Sequence, residues 1–264
     1  MNVQVNGVIL YYEKQGSGPP LVLLHGNGED GRIFDRTAEV LAPHYTVYTI
    51  DSRCHGKSSR NVPLSYDLMA ADVLAFSKAL KLEKPVICGF SDGGIVALLA
   101  AIRAPELPGA LIACGANTTP AGLKWPVRLG MALRYLVCRE PRTKMMLCQP
   151  QISPAMLGRI QVPTLVLCGT HDMIRPADSR AIAAAIPGAQ LQELPHEGHG
   201  TYIVHSPKLA HLVLAFLSKR FWPRWAKPAP SRSSTAAAAV ILPAVKRPLP
   251  YIKARPIFPC ACLS

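Results

Sequence analysis

Pro85-Val86-Ile87-Cys88-Gly89-Phe90-Ser91-Asp92-Gly93-Gly94 carries an apolar run into a G-x-S-x-G pentad, and the small-residue stretch after it has helical spacing. Strand, pentad and helix in that order make a nucleophile elbow, a sharp turn that lifts a serine hydroxyl clear of a strand tip. Only glycine tolerates the close backbone approach on either side, and Gly89, Gly93 and Gly94 meet that demand. The reading requires a base and an acid elsewhere in the chain.

Both follow. Pro163-Thr164-Leu165-Val166-Leu167-Cys168-Gly169 reads as a buried strand leading to Thr170-His171-Asp172, and Gln190-Leu191-Gln192-Glu193-Leu194 as another leading to Pro195-His196-Glu197-Gly198-His199. The order Ser91, Asp172, His199 puts each group on a loop beyond the carboxyl end of a strand. Upstream, Leu21-Val22-Leu23-Leu24 runs into His25-Gly26-Asn27-Gly28. These stations resemble the α/β-hydrolase superfamily, in its esterase-like branch, over residues 1 to 218.

The resemblance implies a mainly parallel sheet with helices on both faces and a short helical cap. It implies Ser91 as nucleophile, His199 as base and Asp172 as the acid that orients it. The backbone N–H groups of Asn27 and Asp92 would form the oxyanion hole, and His199 is preferred to His196 because the family places its base in the Gly-His pair. Asp51-Ser52-Arg53-Cys54-His55-Gly56-Lys57-Ser58 resembles the D-x-R-G-H-G-x-S signature, with Cys54 where the signature has glycine. His25, Asp51, Arg53 and His55 are read as loop braces, while His171, Asp178, His205 and His211 are assigned no catalytic part.

The implied chemistry is acyl transfer, because the superfamily's dehalogenases and epoxide hydrolases carry aspartate where this elbow has serine. A small carboxylic ester is the expected substrate, cleaved through an acyl-serine with no metal and no cofactor. Thioester, amide, carbon–carbon and perhydrolytic chemistry on the same triad stay open, as does a non-catalytic ligand receptor on the same fold. The Ser-Asp-Gly-Gly elbow is similar to that of the valacyclovir hydrolase (biphenyl hydrolase-like) group. In that light the Asp92 side chain either faces the acyl pocket and attracts a substrate ammonium or braces neighbouring backbone.

Length and composition agree with one catalytic domain. The 264 residues are 49% hydrophobic, and a mean hydropathy of +0.18 suits a compact globular chain. The core is expected over 1–118 and 158–218, with 119–157 as a helical cap. There Trp125, Leu129, Leu133 and Leu136 form an apolar stripe toward the pocket, making Trp125 a candidate substrate contact. Arg128, Arg134, Arg139, Arg142 and Lys144 form a solvated outer face.

The formal charge is +13, but residues 219–264 hold nine Lys or Arg and no Asp or Glu, leaving only +4 for the rest. With eight prolines and an alanine run, 219–264 reads as a disordered basic tail. The excess charge is therefore no sign of a nucleic-acid partner. No apolar run is long enough to span a bilayer and no signal peptide opens the chain, so a cytoplasmic protein with reduced cysteines is expected. The oligomeric state is left open.

Overall fold

The computed structural model describes residues 1–220; the tail expected at 219–264 lies almost wholly outside the described residues. A hairpin, β1 (Asn2–Val5) and β2 (Val8–Gln15), opens the chain. After it come β3 (Pro20–Leu24), α1 (Asp35–Leu41), β4 (Thr46–Ile50), α2 (Tyr66–Ala79), β5 (Val86–Phe90), α3 (Asp92–Arg103) and β6 (Ala110–Cys114). Then follow α4 (Trp125–Cys138), α5 (Pro141–Cys148), α6 (Pro154–Leu157), β7 (Thr164–Gly169), α7 (Pro176–Ala185), β8 (Gln190–Leu194) and α8 (Lys208–Arg220).

The strands form one sheet in the order β1-β2-β4-β3-β5-β6-β7-β8. Pairing is antiparallel from β1 through β2 to β4 and parallel from β4 to β8. This is the α/β-hydrolase fold. Its central strands read as unbroken apolar runs because both faces are covered. Val22, Leu24, Ile87, Leu111, Ala113 and Val166 face the layer containing α2 and α3. The alternate residues Leu21, Leu23, Cys88, Ile112, Leu165 and Leu167 face the layer containing α1 and α8. Side chains two apart share a face, so one strand feeds two cores.

Among the described residues no helix is long and apolar enough to cross a membrane. The segment between β6 and β7 holds α4 to α6, and here the structure departs from expectation. Trp125, Leu129, Leu133, Leu136 and Val137 all lie in solvent, Trp125 at 72% exposure. The side of α4 turned inward carries Val127, Met131 and Tyr135, which are half-buried and spaced four apart. The long apolar stripe thus faces away from the domain, and Trp125 is no part of a pocket wall. Periodicity finds an apolar face without saying what covers it.

Candidate active site

Because β3, β5, β6, β7 and β8 are neighbours in the sheet, the loops after their carboxyl ends meet above one edge. Ser91 follows β5 at φ 54°, ψ −117°, a conformation that costs about 1–3 kcal/mol and persists only where the surroundings enforce it. They do so by excluding side chains: a Cβ on Gly89 would collide with the Gly93 carbonyl, and one on Gly93 with the Leu24 carbonyl. The Ser91 N–H is anchored to the Cys114 carbonyl at 2.8 Å.

The structure brings the three expected side chains into one chain of contacts. His199 Nε2 lies 2.9 Å from Ser91 Oγ, and His199 Nδ1 lies 2.6 Å from Asp172 Oδ1. The same Asp172 oxygen accepts the Ile174 N–H at 2.9 Å, which fixes the carboxylate on its loop. Gly115, at φ 56°, passes beneath the ring, and a Cβ there would stand 2.9 Å from His199 Cε1. Phe90 packs against the imidazole with ring centroids 4.8 Å apart.

Asn27 and Asp92 flank the hydroxyl from the loop after β3 and the first turn of α3. Among the described residues neither backbone N–H has an intramolecular acceptor, and Asp92 begins α3, where the helix dipole favours negative charge. The Asp92 carboxylate is buried, 2% exposed, and both its oxygens are engaged. Tyr66 Oη donates to Oδ1 at 2.7 Å and Asn27 Nδ2 to Oδ2 at 2.9 Å. Burial raises the Asp92 carboxyl above the usual carboxylate range, while these two hydrogen bonds oppose the shift. Of the two roles open to this side chain, the geometry is that of a brace.

The other loop residues also hold one another. His25 Nε2 accepts the Ser52 N–H at 3.0 Å while Nδ1 faces the Gly26 carbonyl at 2.7 Å, the pattern of a neutral ring protonated on Nδ1. Burial lowers His25 to about 4 and, together with the adjacent His25, lowers His55 to about 4. Asp51 takes the N–H groups of Gly31 and Lys57, each at 2.8 Å. Arg53 makes a two-pronged buried pair with Asp72, 2.6 Å on each arm, and also donates to the Pro63 carbonyl. Cys54 adopts φ 62°, the left-handed region that the glycine of the signature would occupy without strain.

His196, also at positive φ, approaches His171 at 6.2 Å between ring centroids, away from the serine. Asp178 accepts from the Thr118 N–H and hydroxyl, and His205 faces Asp35 at 2.9 Å. No group of His, Cys, Asp and Glu among the described residues could hold a metal ion. Sequence reasoning missed Tyr66 and Glu29. Tyr66 reads as the first apolar residue of a helix, and its hydroxyl partner lies 26 positions away. Glu29 carries no motif at all.

A family model described as alpha/beta hydrolase fold matches residues 19–135. A pimeloyl-[acyl-carrier protein] methyl ester esterase of Aliivibrio fischeri is 37% identical over 103 residues, which is 39% of this chain. That match spans 38% of the Aliivibrio protein's length. The protein of the same name from Xanthomonas oryzae pv. oryzae is 26% identical over 249 residues, covering 77% of this chain and 96% of its own. Among solved structures, an esterase from Exiguobacterium antarcticum aligns with a TM-score of 0.72 at 21% identity, covering 81% of this chain and 97% of its own. An enol-lactonase from Burkholderia xenovorans aligns at 0.70 with 25% identity, covering 83% of this chain and 100% of its own.

Proposed function

We propose that this member of the α/β-hydrolase superfamily is a serine hydrolase that cleaves a small carboxylic ester through an acyl-serine intermediate. One observation carries the reading: the continuous contact from Asp172 through His199 to Ser91, at 2.6 and 2.9 Å, beside two unengaged backbone N–H groups. A serine hydroxyl becomes a competent nucleophile when a neutral imidazole can take its proton during attack. Ser91 Oγ would add to the ester carbonyl as His199 Nε2 accepts the proton. The electron pair displaced onto the carbonyl oxygen would be held by the Asn27 and Asp92 N–H groups.

Collapse of that oxyanion then expels the alkoxide, which takes the proton back from His199. A water molecule, deprotonated by the same ring, would cleave the acyl-serine in the mirror sequence. Asp172 would hold Nδ1–H in place and stabilise the imidazolium formed in both halves. Each backbone donor of such a hole typically contributes about 3 kcal/mol to the transition state. The ester hydrolases among the relatives support the reaction class, and the methyl ester named for two of them supports a small alcohol as leaving group.

The test is turnover of p-nitrophenyl esters of graded acyl length, with labelling by a fluorophosphonate probe. Wild type should label and turn over. Ser91→Ala, His199→Ala and Asp172→Asn should each lose about a thousandfold or more of kcat with unchanged melting behaviour, and double variants should lose little further. Full activity in Ser91→Ala would end the proposal.

A further inference from the structure

The loop after β3 doubles back on itself at Gly28, whose φ of 74° turns the chain so that Glu29 reaches over Gly26. Glu29 Oε2 accepts the Gly26 N–H at 3.0 Å. A methyl group built on Gly26 would stand 2.7 Å from this oxygen and 3.1 Å from the Cβ of Ser91. The carboxylate and the nucleophile therefore sit side by side across the bare Cα of Gly26.

Three carboxylates surround Ser91, and they differ in what is left open. Asp92 has both oxygens engaged and is buried; Asp172 is buried and supports His199. Glu29 is half-buried, and its second oxygen has no hydrogen-bond partner among the described residues. The cations near it are committed elsewhere. Arg32 and His205, which share with Glu29 the lining of an open depression of 430 Å³, pair with Asp30 and Asp35 at 2.7 and 2.9 Å. Arg142, whose guanidinium would lie 4.0 Å from a Cβ on Gly28, is paired with Glu140. Burial raises the Glu29 carboxyl, with the Asp92 charge adding to the shift and His199 opposing it, as expected for a group set between the two.

We propose that Glu29 reads the charge of the substrate, favouring esters that carry a protonated amine near the reacting carbonyl and disfavouring those that carry a carboxylate. An uncompensated carboxylate with one open oxygen is a complete partner for a compact ammonium. Partial exclusion of water makes its field count for more than it would at an open surface. The inference rests on the ester-hydrolase reading and names the substrate class of the same site.

The experiment compares kcat/KM of the full-length protein for three p-nitrophenyl esters of matched length: an α-amino ester, its desamino analogue and an ω-carboxylate analogue. Wild type should prefer the cation over the neutral ester by about tenfold or more, with the anion slowest. Glu29→Gln keeps an acceptor for the Gly26 N–H and removes only the charge. It should bring the cationic and anionic esters to within about twofold of the neutral one, leaving the neutral rate unchanged. Equal rates in wild type, or an equal loss on all three esters in Glu29→Gln, would overturn the charge-reading role and leave Glu29 a loop brace. Absence of turnover on every ester would overturn the hydrolase reading and this inference with it. Turnover of the neutral ester without charge preference would overturn this inference alone.

Discussion

Asn27 Nδ2 donates to Asp92 Oδ2 at 2.9 Å, so the two residues whose backbone N–H groups border Ser91 are fastened to each other through their side chains. The distance between those N–H groups is thereby set by a bond that touches no substrate. Donors aimed before the reaction begins are worth more than donors that must be recruited during it.

Asn27→Ala keeps the backbone donor and removes the tie. Its kcat should fall about tenfold with KM little changed, because the loss falls on the transition state. Tyr66→Phe, which releases the other Asp92 oxygen, should act in the same direction, and steady-state kinetics on a neutral ester checks both. Wild-type kcat in Asn27→Ala would mean that the loop holds its own shape.

The Arg53–Asp72 pair is sealed from solvent, with Asn6 Nδ2 donating to Asp72 Oδ1 at 3.0 Å as a further partner. Removing one member leaves the other charged in a dry site, so Asp72→Ala should cost about 3–5 kcal/mol of unfolding free energy. Urea denaturation measures it. A loss below 1 kcal/mol would show that water reaches the exposed guanidinium.

Cys54→Gly relieves a left-handed residue whose strain is worth about 1–2 kcal/mol, against a gain in unfolded-chain entropy of about 0.5–1 kcal/mol. The variant is expected to be more stable by about 0.5 kcal/mol, read as a higher urea midpoint. A lower midpoint would mean that the contact of Cys54 Sγ with the Val62 carbonyl, at 3.3 Å, outweighs the strain.

His25 and His55 stand with ring centroids 5.1 Å apart and resist protonation down to about pH 4. The unfolded chain takes up these protons near pH 6.5, so acid favours unfolding. Their contribution to stability is whole above that pH and drains away as pH falls from 6.5 toward 4. The ceiling is about 3 kcal/mol for each ring. The urea midpoint should therefore be lower at pH 5 than at pH 7.5, and His25→Gln should narrow the difference. Equal midpoints at the two pH values would contradict the neutral-ring assignment.

Much of this was legible in the sequence, for identifiable reasons. Central strands declare themselves as apolar runs because two cores cover them, and Gln190–Leu194 was placed without error between its flanking turns. Ser91, Asp172 and His199 stand where strand ends put them, so spacing relative to strands located them. What spacing does not encode is contact between loops. The Tyr66 hydroxyl, the tie between Asn27 and Asp92 and the folded-back Glu29 depend on angles at Gly28 and at the start of α2. The outward stripe of α4 was misassigned because the moderately apolar Val127, Met131 and Tyr135 side won the domain contact.

The elbow separates heredity of form from heredity of chemistry. Its curvature is written in Gly89 and Gly93, whose missing side chains admit neighbouring carbonyls, while Ser91 contributes a single hydroxyl at the summit. In a library of random variants the two kinds of lesion should sort apart. Changes at 91 should yield soluble, silent protein, and changes at 89 or 93 should yield protein recovered in the pellet. Selection on such a scaffold can exchange one nucleophile for another without renegotiating the turn that presents it.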